Sequence, residues 1–183
     1  SVTVTSSENN VSVSLDGSSL NFSSTSNFNG SSVITVTVAE SGGEYETSES
    51  FDITVNPVND APAMVTISNV TTLEETETTV MLNASDIDGD MNFSFSAESS
   101  SDLFTINVSG ATLTVNPLLD KVGTGSITVT ANDGNLNSAS ISFNVTIDNV
   151  NDVPVLSSIE NPDAVAEDGE NIVVSLSATD VDG

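Results

Sequence analysis

An acidic linker sequence occurs twice in this chain and divides it into repeats. Residues 55–62 read Val-Asn-Pro-Val-Asn-Asp-Ala-Pro, and residues 147–154, which begin 92 residues later, read Ile-Asp-Asn-Val-Asn-Asp-Val-Pro. The motif Asp-x-Asp-Gly at residues 86–89 returns after 94 residues, at 180–183. This period is longer than a solenoid unit and has the size of one small β-domain. The sequence therefore predicts a tandem array of small domains with acidic joints.

The charge balance restricts the partners that such an array can bind. The chain has 27 acidic residues and one basic residue, which gives a formal net charge of −26. Salt bridges cannot neutralise this charge, so a compact state needs counter-ions. Two interpretations follow, specific divalent-cation sites or an acidic surface suited to high salt, and the repeated positions of the acids favour specific sites. The sign of the field disfavours binding to nucleic acid or to an anionic membrane.

Other stabilisers of small domains are missing from the sequence. Cysteine is absent, so no disulfide can form. Domains of about 90 residues bury a small fraction of their surface and often need an added stabiliser, which a bound metal ion could supply. No stretch approaches the roughly 20 apolar residues that span a bilayer, so membrane insertion is not expected. The absence of cysteine fits a secreted bacterial protein.

Apolar residues alternate with Ser, Thr and Asn along much of the chain. Residues 126–130 and 140–147 show this period of two, with β-branched residues on the apolar face. Such alternation is typical of strands with one buried face. Between residues 63 and 152 the pattern gives about seven short strands, which is the number in an immunoglobulin-like sandwich. The predicted fold class is all-β, with tandem Greek-key β-sandwiches.

The repeats are out of phase with the two ends of the sequence. Residues 1–60 match the later portion of a repeat, residues 61–152 form a complete repeat, and residues 153–183 match the opening portion of a third. One interpretation is a window of a longer array. The other is head-to-tail complementation, in which residues 155–183 of one chain complete the sandwich of residues 1–55 of the next. Strand donation is plausible because an incomplete sandwich leaves sheet edges open.

The Asp-x-Asp-Gly motif carries the chemistry of a possible cation site. Asp86 and Asp88 stand two residues apart on a turn that the following glycine allows to curve tightly. Ca²⁺ takes six to eight oxygen ligands, and carboxylates at this spacing can converge on one ion. An EF-hand is excluded because Met91 occupies the position of its glycine. The alternative is a surface turn capped by its own side chains, but the repetition at Asp180 and Asp182 favours an ion site.

The acidic residues recur in an order that resembles cadherin repeats. More closely, the chain is similar to the cadherin-like tandem repeats of large bacterial surface adhesins, which end in Val-Asn-Pro-Val-Asn-Asp-Ala-Pro. The resemblance covers essentially the whole chain and implies a string of sandwiches with Ca²⁺ at the joints. The residues that carry it are Glu75, Asp86, Asp88, the run Leu119-Asp120-Lys121, Ala131, Asp133, Asn151, Asp152 and Pro154.

The resemblance implies a set of ligands for each joint. Val122 stands where the family's Leu-Asp-Arg-Glu motif has its glutamate, which favours one or two ions per joint over three. Asp120 matches the aspartate of that motif. The implied ligands of the first joint are Asn59, Asp60, Asp86, Asp88 and Asp133, and those of the second are Glu75, Asn151, Asp152, Asp180 and Asp182.

The residue inventory disfavours catalysis. The chain has no His and no Cys, so a serine nucleophile would have no obvious base. A carbohydrate-binding module is a weaker rival because Trp is absent and Tyr45 is the single Tyr. The predicted function is a calcium-rigidified extracellular spacer of a cell-surface adhesin, which contacts neighbouring repeats and projects a binding module away from the cell. The alternative is a subunit of a self-assembling extracellular filament that contacts neighbouring copies.

Overall fold

The computed structural model describes residues 1–169 and 171–182, and these residues form sixteen strands and no helix. The described residues therefore contain no helix that is long and apolar enough to span a bilayer. The predicted all-β class is confirmed. The strands belong to two compact units, of which the first comprises Ser1–Ala61 with Asp86–Asp90 and the second Pro62–Ser85 with the residues from Met91 onward.

The first unit contains one three-stranded sheet and one hairpin. The antiparallel sheet has the order β1-β4-β5, and β2 pairs with β3. Its core is small, because Val11 and Ile34 are its two buried apolar residues. Phe22 and Phe51 pack edge to face with ring centroids 6.1 Å apart but stay 38% and 44% exposed. The strands are β1 (Val2–Ser6), β2 (Val11–Asp16), β3 (Ser19–Ser24), β4 (Gly30–Ala39) and β5 (Glu46–Val55).

The second unit contains a β-sandwich with a continuous core. One sheet has the order β10-β13-β14-β7 and the other β11-β12-β8, while β6 and β9 form a short separate pair. All pairings are antiparallel except that of β7 with β14. The strands are β6 (Ala63–Met64), β7 (Val70–Leu73), β8 (Thr78–Met81), β9 (Ala84–Ser85), β10 (Ser94–Ser99), β11 (Phe104–Ser109), β12 (Thr112–Pro117), β13 (Gly123–Asn132) and β14 (Ile141–Asp148).

Alternate residues of β12, β13 and β14 build the core of this sandwich. Every second side chain of these strands points inward, as the period of two in the sequence predicts. Phe104 and Leu82 close the core from neighbouring elements. The buried cluster consists of Leu82, Phe104, Leu113, Val115, Ile127, Val129, Phe143, Val145 and Ile147.

The strands of the first unit correspond to β10–β14 of the second. The pair Val2–Val38 of β1 and β4 lies 93 residues before the pair Phe95–Ala131 of β10 and β13. The first unit has no counterpart of β7 or β8. Strands β5 and β3 therefore lie at sheet edges, whereas their counterparts β14 and β12 are paired with β7 and β8. This arrangement agrees with residues 1–60 being the later portion of a repeat, although the domain boundaries stay a prediction.

The segment after the second linker forms one short strand pair. Strand β15 (Val155–Leu156) pairs antiparallel with β16 (Ala178–Thr179), as β6 pairs with β9 at the start of the preceding repeat. All described residues from 153 to 182 are exposed, including Val173 at 86%. Glu170 and Gly183 belong to the predicted third repeat and lie outside the described residues. The glycine that completes the second Asp-x-Asp-Gly motif is therefore not described.

Hydroxyl pairs cover the outer face of the corresponding sheet in both units. On β4 and β5, Thr and Ser side chains face each other across the strands at hydrogen-bond distance, and the same pairs recur on β13 and β14. Cross-strand hydroxyl pairs stabilise a sheet by a few tenths of a kcal/mol each, roughly. They are Thr35–Ser50 at 2.9 Å, Thr37–Ser48 at 2.8 Å, Thr128–Ser142 at 2.9 Å and Thr130–Ser140 at 3.0 Å.

Candidate calcium site at the acidic linkers

The first linker is hydrogen-bonded to the Asp-x-Asp-Gly turn of the same compact unit. The backbone N–H of Asp60 donates to Oδ2 of Asp88 at 2.6 Å, and the backbone N–H of Asp88 donates to Oδ1 of Asp86 at 2.7 Å. The side-chain amide of Asn59 donates to the carbonyl oxygen of Asp60 at 2.8 Å. Gly89, with φ of 87°, allows the turn to close. These bonds bring Asp60, Asp86 and Asp88 together.

The second linker repeats these contacts one period later. The backbone N–H of Asp152 donates to Oδ2 of Asp182, whose own N–H donates to Oδ1 of Asp180 at 2.9 Å. The side-chain amide of Asn151 donates to the carbonyl oxygen of Asp152 at 2.7 Å. A further bond runs from the Asn149 amide to Oδ1 of Asp182 at 2.9 Å. The same local sequence thus folds into the same contact at both linkers.

Glu74 connects the second linker to the sandwich of the second unit. This residue follows β7 directly, and its backbone N–H donates to the carbonyl oxygen of Asp148 at 3.0 Å. Its side chain is 3% exposed, and Oε1 accepts a hydrogen bond from the backbone N–H of Val150 at 2.8 Å. Oε2 is buried and has no hydrogen-bond partner. A buried carboxylate is thereby held beside the linker with one oxygen unsatisfied.

The sequence analysis selected Glu75 as the glutamate of this joint. Glu75 is exposed, has φ of 58°, and makes no contact with the linker that resembles that of Glu74. The sequence carries no clear signal for Glu74, because the apolar residue Leu73 is exposed on β7; in the structure, the half-buried side chains of Val70 and Thr72 precede Glu74 at alternate positions. A ligand role for Glu75 stays a prediction, whereas the side chain that contacts the linker is that of Glu74.

Unsatisfied carboxylate oxygens occur at both linkers. Among the described residues, the buried side-chain oxygens without a hydrogen-bond partner are Oε2 of Glu74 and Oδ2 of Asp86. Leaving such an atom unpaired costs about 1–3 kcal/mol, more for a charged group, and a cation would satisfy it. Carboxylate and carbonyl oxygens are the ligands that Ca²⁺ prefers. The donors therefore fit Ca²⁺ in chemical type.

The described carboxylates of the linkers do not form a complete metal-coordination site in this structure. Within residues 1–169 and 171–182, no three acidic side chains are grouped closely enough to hold a metal ion. Asp88, Asp180 and Asp182 are exposed, so their side chains have room to rotate. The structure thus shows a repeated acidic contact with two unsatisfied oxygens.

Negative charge accumulates around Asp152. Partial burial raises the pKa of its carboxyl group above the ordinary value of 3.8, and repulsion from Asp182, Asp120, Glu74 and Asp180 raises it further. This places Asp120 within electrostatic reach of the second linker. Repulsion from these neighbours disfavours the charged form of Asp152, and a bound cation would relieve it.

Asp133 fulfils a local role in its own turn. Its Oδ1 accepts hydrogen bonds from the backbone N–H groups of Asn135 and Leu136, both at 2.7 Å. This is the Asx cap that a turn after a long strand commonly uses. A role of Asp133 as an ion ligand stays a prediction. The same holds for Asp120, which is exposed and has φ of 56°.

A family model matches the middle of the chain. Residues 59–146 match the family model described as bacterial Ig domain. This segment is similar to bacterial Ig domains. The matched segment begins at the Asn-Asp of the first linker and extends from β6 into β14. The predicted relation to cadherin-like and immunoglobulin-like repeats of bacterial proteins is confirmed at the level of family and fold.

Solved structures similar to the chain include protocadherin ectodomains. The protocadherin gammaB7 EC3-6 cis-dimer structure has 19% sequence identity and a TM-score of 0.53 over 98% of this chain and 52% of its own. Extracellular domains 1–4 of protocadherin gamma B7 have 16% identity and a TM-score of 0.52, covering 98% and 50%. The chain thus spans about half the length of these structures. Identities this low show a shared fold alone, and a search of curated proteins gave no match.

Proposed function

We propose that this chain is a segment of an extracellular tandem-repeat protein, in which bacterial Ig domains act as a spacer and Ca²⁺ stiffens their linkers. The observation that carries the proposal is the repeated contact between each Asn-Asp linker and an Asp-x-Asp turn. The family supports a domain that is typically extracellular and non-enzymatic. The proposed partners are neighbouring repeats.

The ligands at the second linker would come from three separated parts of the chain. Glu74 would supply its unsatisfied Oε2, Asp152 would come from the linker, and Asp180 and Asp182 from the turn beyond it. The exposed aspartates would rotate toward the buried glutamate when the ion binds. A divalent cation would neutralise their repulsion and join three segments that are otherwise connected by a few hydrogen bonds.

At the first linker, the donors would be Asp60, Asp86 and Asp88, with Oδ2 of Asp86 in the role that Oε2 of Glu74 has at the second. An ion that binds the folded state alone stabilises it by RT ln(1 + [Ca²⁺]/Kd), which is about 2.7 kcal/mol at a hundred times Kd. Linker stiffness and fold stability would therefore rise with the same Ca²⁺ concentration.

The test is a Ca²⁺ titration of chelator-treated protein, followed by thermal unfolding and by light scattering for mass. The proposal expects the melting temperature to rise at unchanged mass. The variant Asp86→Ala plus Asp88→Ala should lose the part of the rise that belongs to the first linker. The matched control, Asp16→Ala plus Asp52→Ala, removes the same charge at exposed positions of the first unit and should keep the full rise.

Two results would contradict the proposal of a Ca²⁺-stiffened spacer. If unfolding does not respond to Ca²⁺ but does respond to molar KCl, the acids serve as a surface suited to high salt. If the control variant loses as much of the Ca²⁺ response as the Asp86 and Asp88 variant, the ion acts through net charge and not through the linker.

A filament subunit is the second candidate. Edge strands β3 and β5 have no partners corresponding to β8 and β7, and apolar residues such as Val155 and Leu176 are exposed at 62% and 67% after the second linker. Insertion of residues 155–183 of one copy beside β3 and β5 of another would cover both surfaces. Light scattering tests the filament. A molecular mass that rises with protein concentration would support assembly, and a constant monomer mass would refute it.

A further inference from the structure

The hairpin of the first unit has the same register as its counterpart in the second unit. In β2 and β3, Leu15 pairs with Leu20, and 93 residues later Val108 pairs with Leu113 in β11 and β12. In the second unit, β12 also pairs with β8 on its other side, and Leu113 is fully buried. Among the described residues, β3 has no such second partner. The first unit therefore presents an open sheet edge at β3, and the second unit contains the completed form of that sheet.

The first unit exposes apolar side chains that the second unit buries. Phe22 on β3 is 38% exposed, whereas its counterpart on β12, Val115, is fully buried. Phe51 on the facing sheet is 44% exposed, whereas its counterpart 92 residues later, Phe143, is 3% exposed. In the second unit, part of the cover comes from β8 and from Leu82, which follows β8 directly and is 3% exposed. The first unit thus lacks a strand of the β8 type.

Residues 172–176, with the sequence Ile-Val-Val-Ser-Leu, correspond to that missing strand. The strand pair β15–β16 repeats β6–β9, and the backbone N–H of Ser157 donates to the carbonyl oxygen of Ser177 at 2.9 Å. The same bond, at the same distance, joins the corresponding residues of the preceding repeat. This match makes Leu176 the counterpart of Leu82, 94 residues later. The chain therefore carries the open edge and a segment of the kind that covers it.

One face of residues 172–176 is apolar and uncovered. Ile172, Val174 and Leu176 occupy alternate positions and are 49%, 43% and 67% exposed. This alternation is typical of a strand with one face to bury, yet the segment lies outside the strands of the structure. Neither residues 171–176 nor β3 contains a charged residue, although charges on sheet edges commonly prevent strand pairing. The segment is therefore available to pair with a sheet edge.

We infer that residues 172–176 of one copy dock as an added antiparallel strand on the β3 edge of another copy, in the register of β8 on β12. In the second unit, Leu113 lies opposite Val80. The same register sets Val174 opposite Leu20 on the inward face. Because the complete sandwich of the second unit separates the two surfaces along the chain, the partner is a second copy. The docking rests on the filament candidate of the proposed function and adds to it the strand and the register.

The register can be tested by cross-linking, because the chain has no cysteine. On the outer face, Asn21 would lie opposite Val173, close to the separation that a disulfide spans. An equimolar mixture of Asn21→Cys and Val173→Cys, under mild oxidation, should give a cross-linked dimer about tenfold faster than Asn21→Cys with Ser175→Cys. Ser175 is equally exposed but would lie diagonally, about 7–8 Å away, which is too far for an unstrained disulfide.

A second pair of variants tests which face of the segment is buried. Val174→Asp places a charge on the inward face and should abolish the rise in mass with protein concentration that light scattering measures. Val173→Asp adds the same charge to the outer face, where Val173 is 86% exposed, and should keep that rise. Both positions are exposed in the single chain, so neither change should unfold it, and circular dichroism checks this.

The outcomes separate the docking from the filament. A rise in mass with equal cross-linking in the two mixtures would overturn the docking and leave the filament standing, as would a Val174→Asp variant that assembles like Val173→Asp. A constant monomer mass would overturn both and leave the spacer untouched. A cross-link within the double variant Asn21→Cys plus Val173→Cys at monomer mass would assign the β3 edge to the chain's own segment and overturn docking of a second copy.

Discussion

Glu74→Gln gives the sharpest test of the second linker. The substitution keeps the size of the side chain and keeps Oε1 as acceptor for the Val150 N–H, but it removes the charge and the unpaired Oε2. The Ca²⁺-free protein should be as stable as the parent or more so, because one member of a repelling group is neutralised. The stabilisation by Ca²⁺ should be largely lost.

The size of that loss follows from linkage. At a Ca²⁺ concentration about a hundred times Kd, the parent gains about 2.7 kcal/mol, and a variant that binds about a hundredfold more weakly gains about 0.4 kcal/mol. The difference of about 2.3 kcal/mol corresponds to about 9–18 °C in melting temperature for a domain of this size. Differential scanning calorimetry of the parent and the variant, each with and without Ca²⁺, measures both stabilisations.

Glu75→Gln is the matched control, because it removes the same charge from the adjacent exposed position. It should leave the Ca²⁺ response within about 0.5 kcal/mol of the parent, as is usual for surface changes. If Glu75→Gln abolishes the response and Glu74→Gln does not, the burial argument is wrong and the residue chosen from the sequence is the ligand.

The remaining predictions concern the sandwich and its acids. Leu113→Ala should lower the unfolding free energy by about 2–5 kcal/mol in urea titrations, because the side chain is fully buried. Gly125→Ala should lower it by about 1–3 kcal/mol, since the new Cβ would lie 2.5 Å from Ser101, whereas the neighbouring Ser126→Ala should be almost neutral. Without Ca²⁺, the contribution of Asp152 to the unfolding free energy should fall as the pH rises above 3.8, because its raised pKa means that the folded state holds the proton more tightly. Asp152→Asn should remove that slope, and an unchanged slope would contradict it.

The local features of the site could be predicted from the sequence. Each linker and each Asp-x-Asp turn lies within a few residues of contiguous chain, so the side chains that cap the turns are visible as a motif. The recurrence of that motif also predicted that both linkers behave alike, and their hydrogen bonds agree. The fold class followed in the same way, because the period of two reports which face of a strand is buried.

The glutamate of the second linker could not be chosen from the motif alone. Glu74 and Glu75 are adjacent and identical in type, and their difference arises from the parallel pairing of β7 with β14. That pairing joins segments about 75 residues apart and turns Glu74 inward beneath the linker. The sequence pattern gave about seven strands, and it did not distinguish β6, β7 and β9, which are short.

The sequence by itself determined the all-β class and the recurrence of the acidic linker motif, because alternation and motif recurrence are local properties of the chain. The tertiary structure decided which carboxylates meet at a joint. It buried Glu74 and left one of its oxygens unpaired, and it brought Asp182 into contact with Asp152. Those relations depend on strand register between distant segments, and register is set by the packing of the whole sandwich.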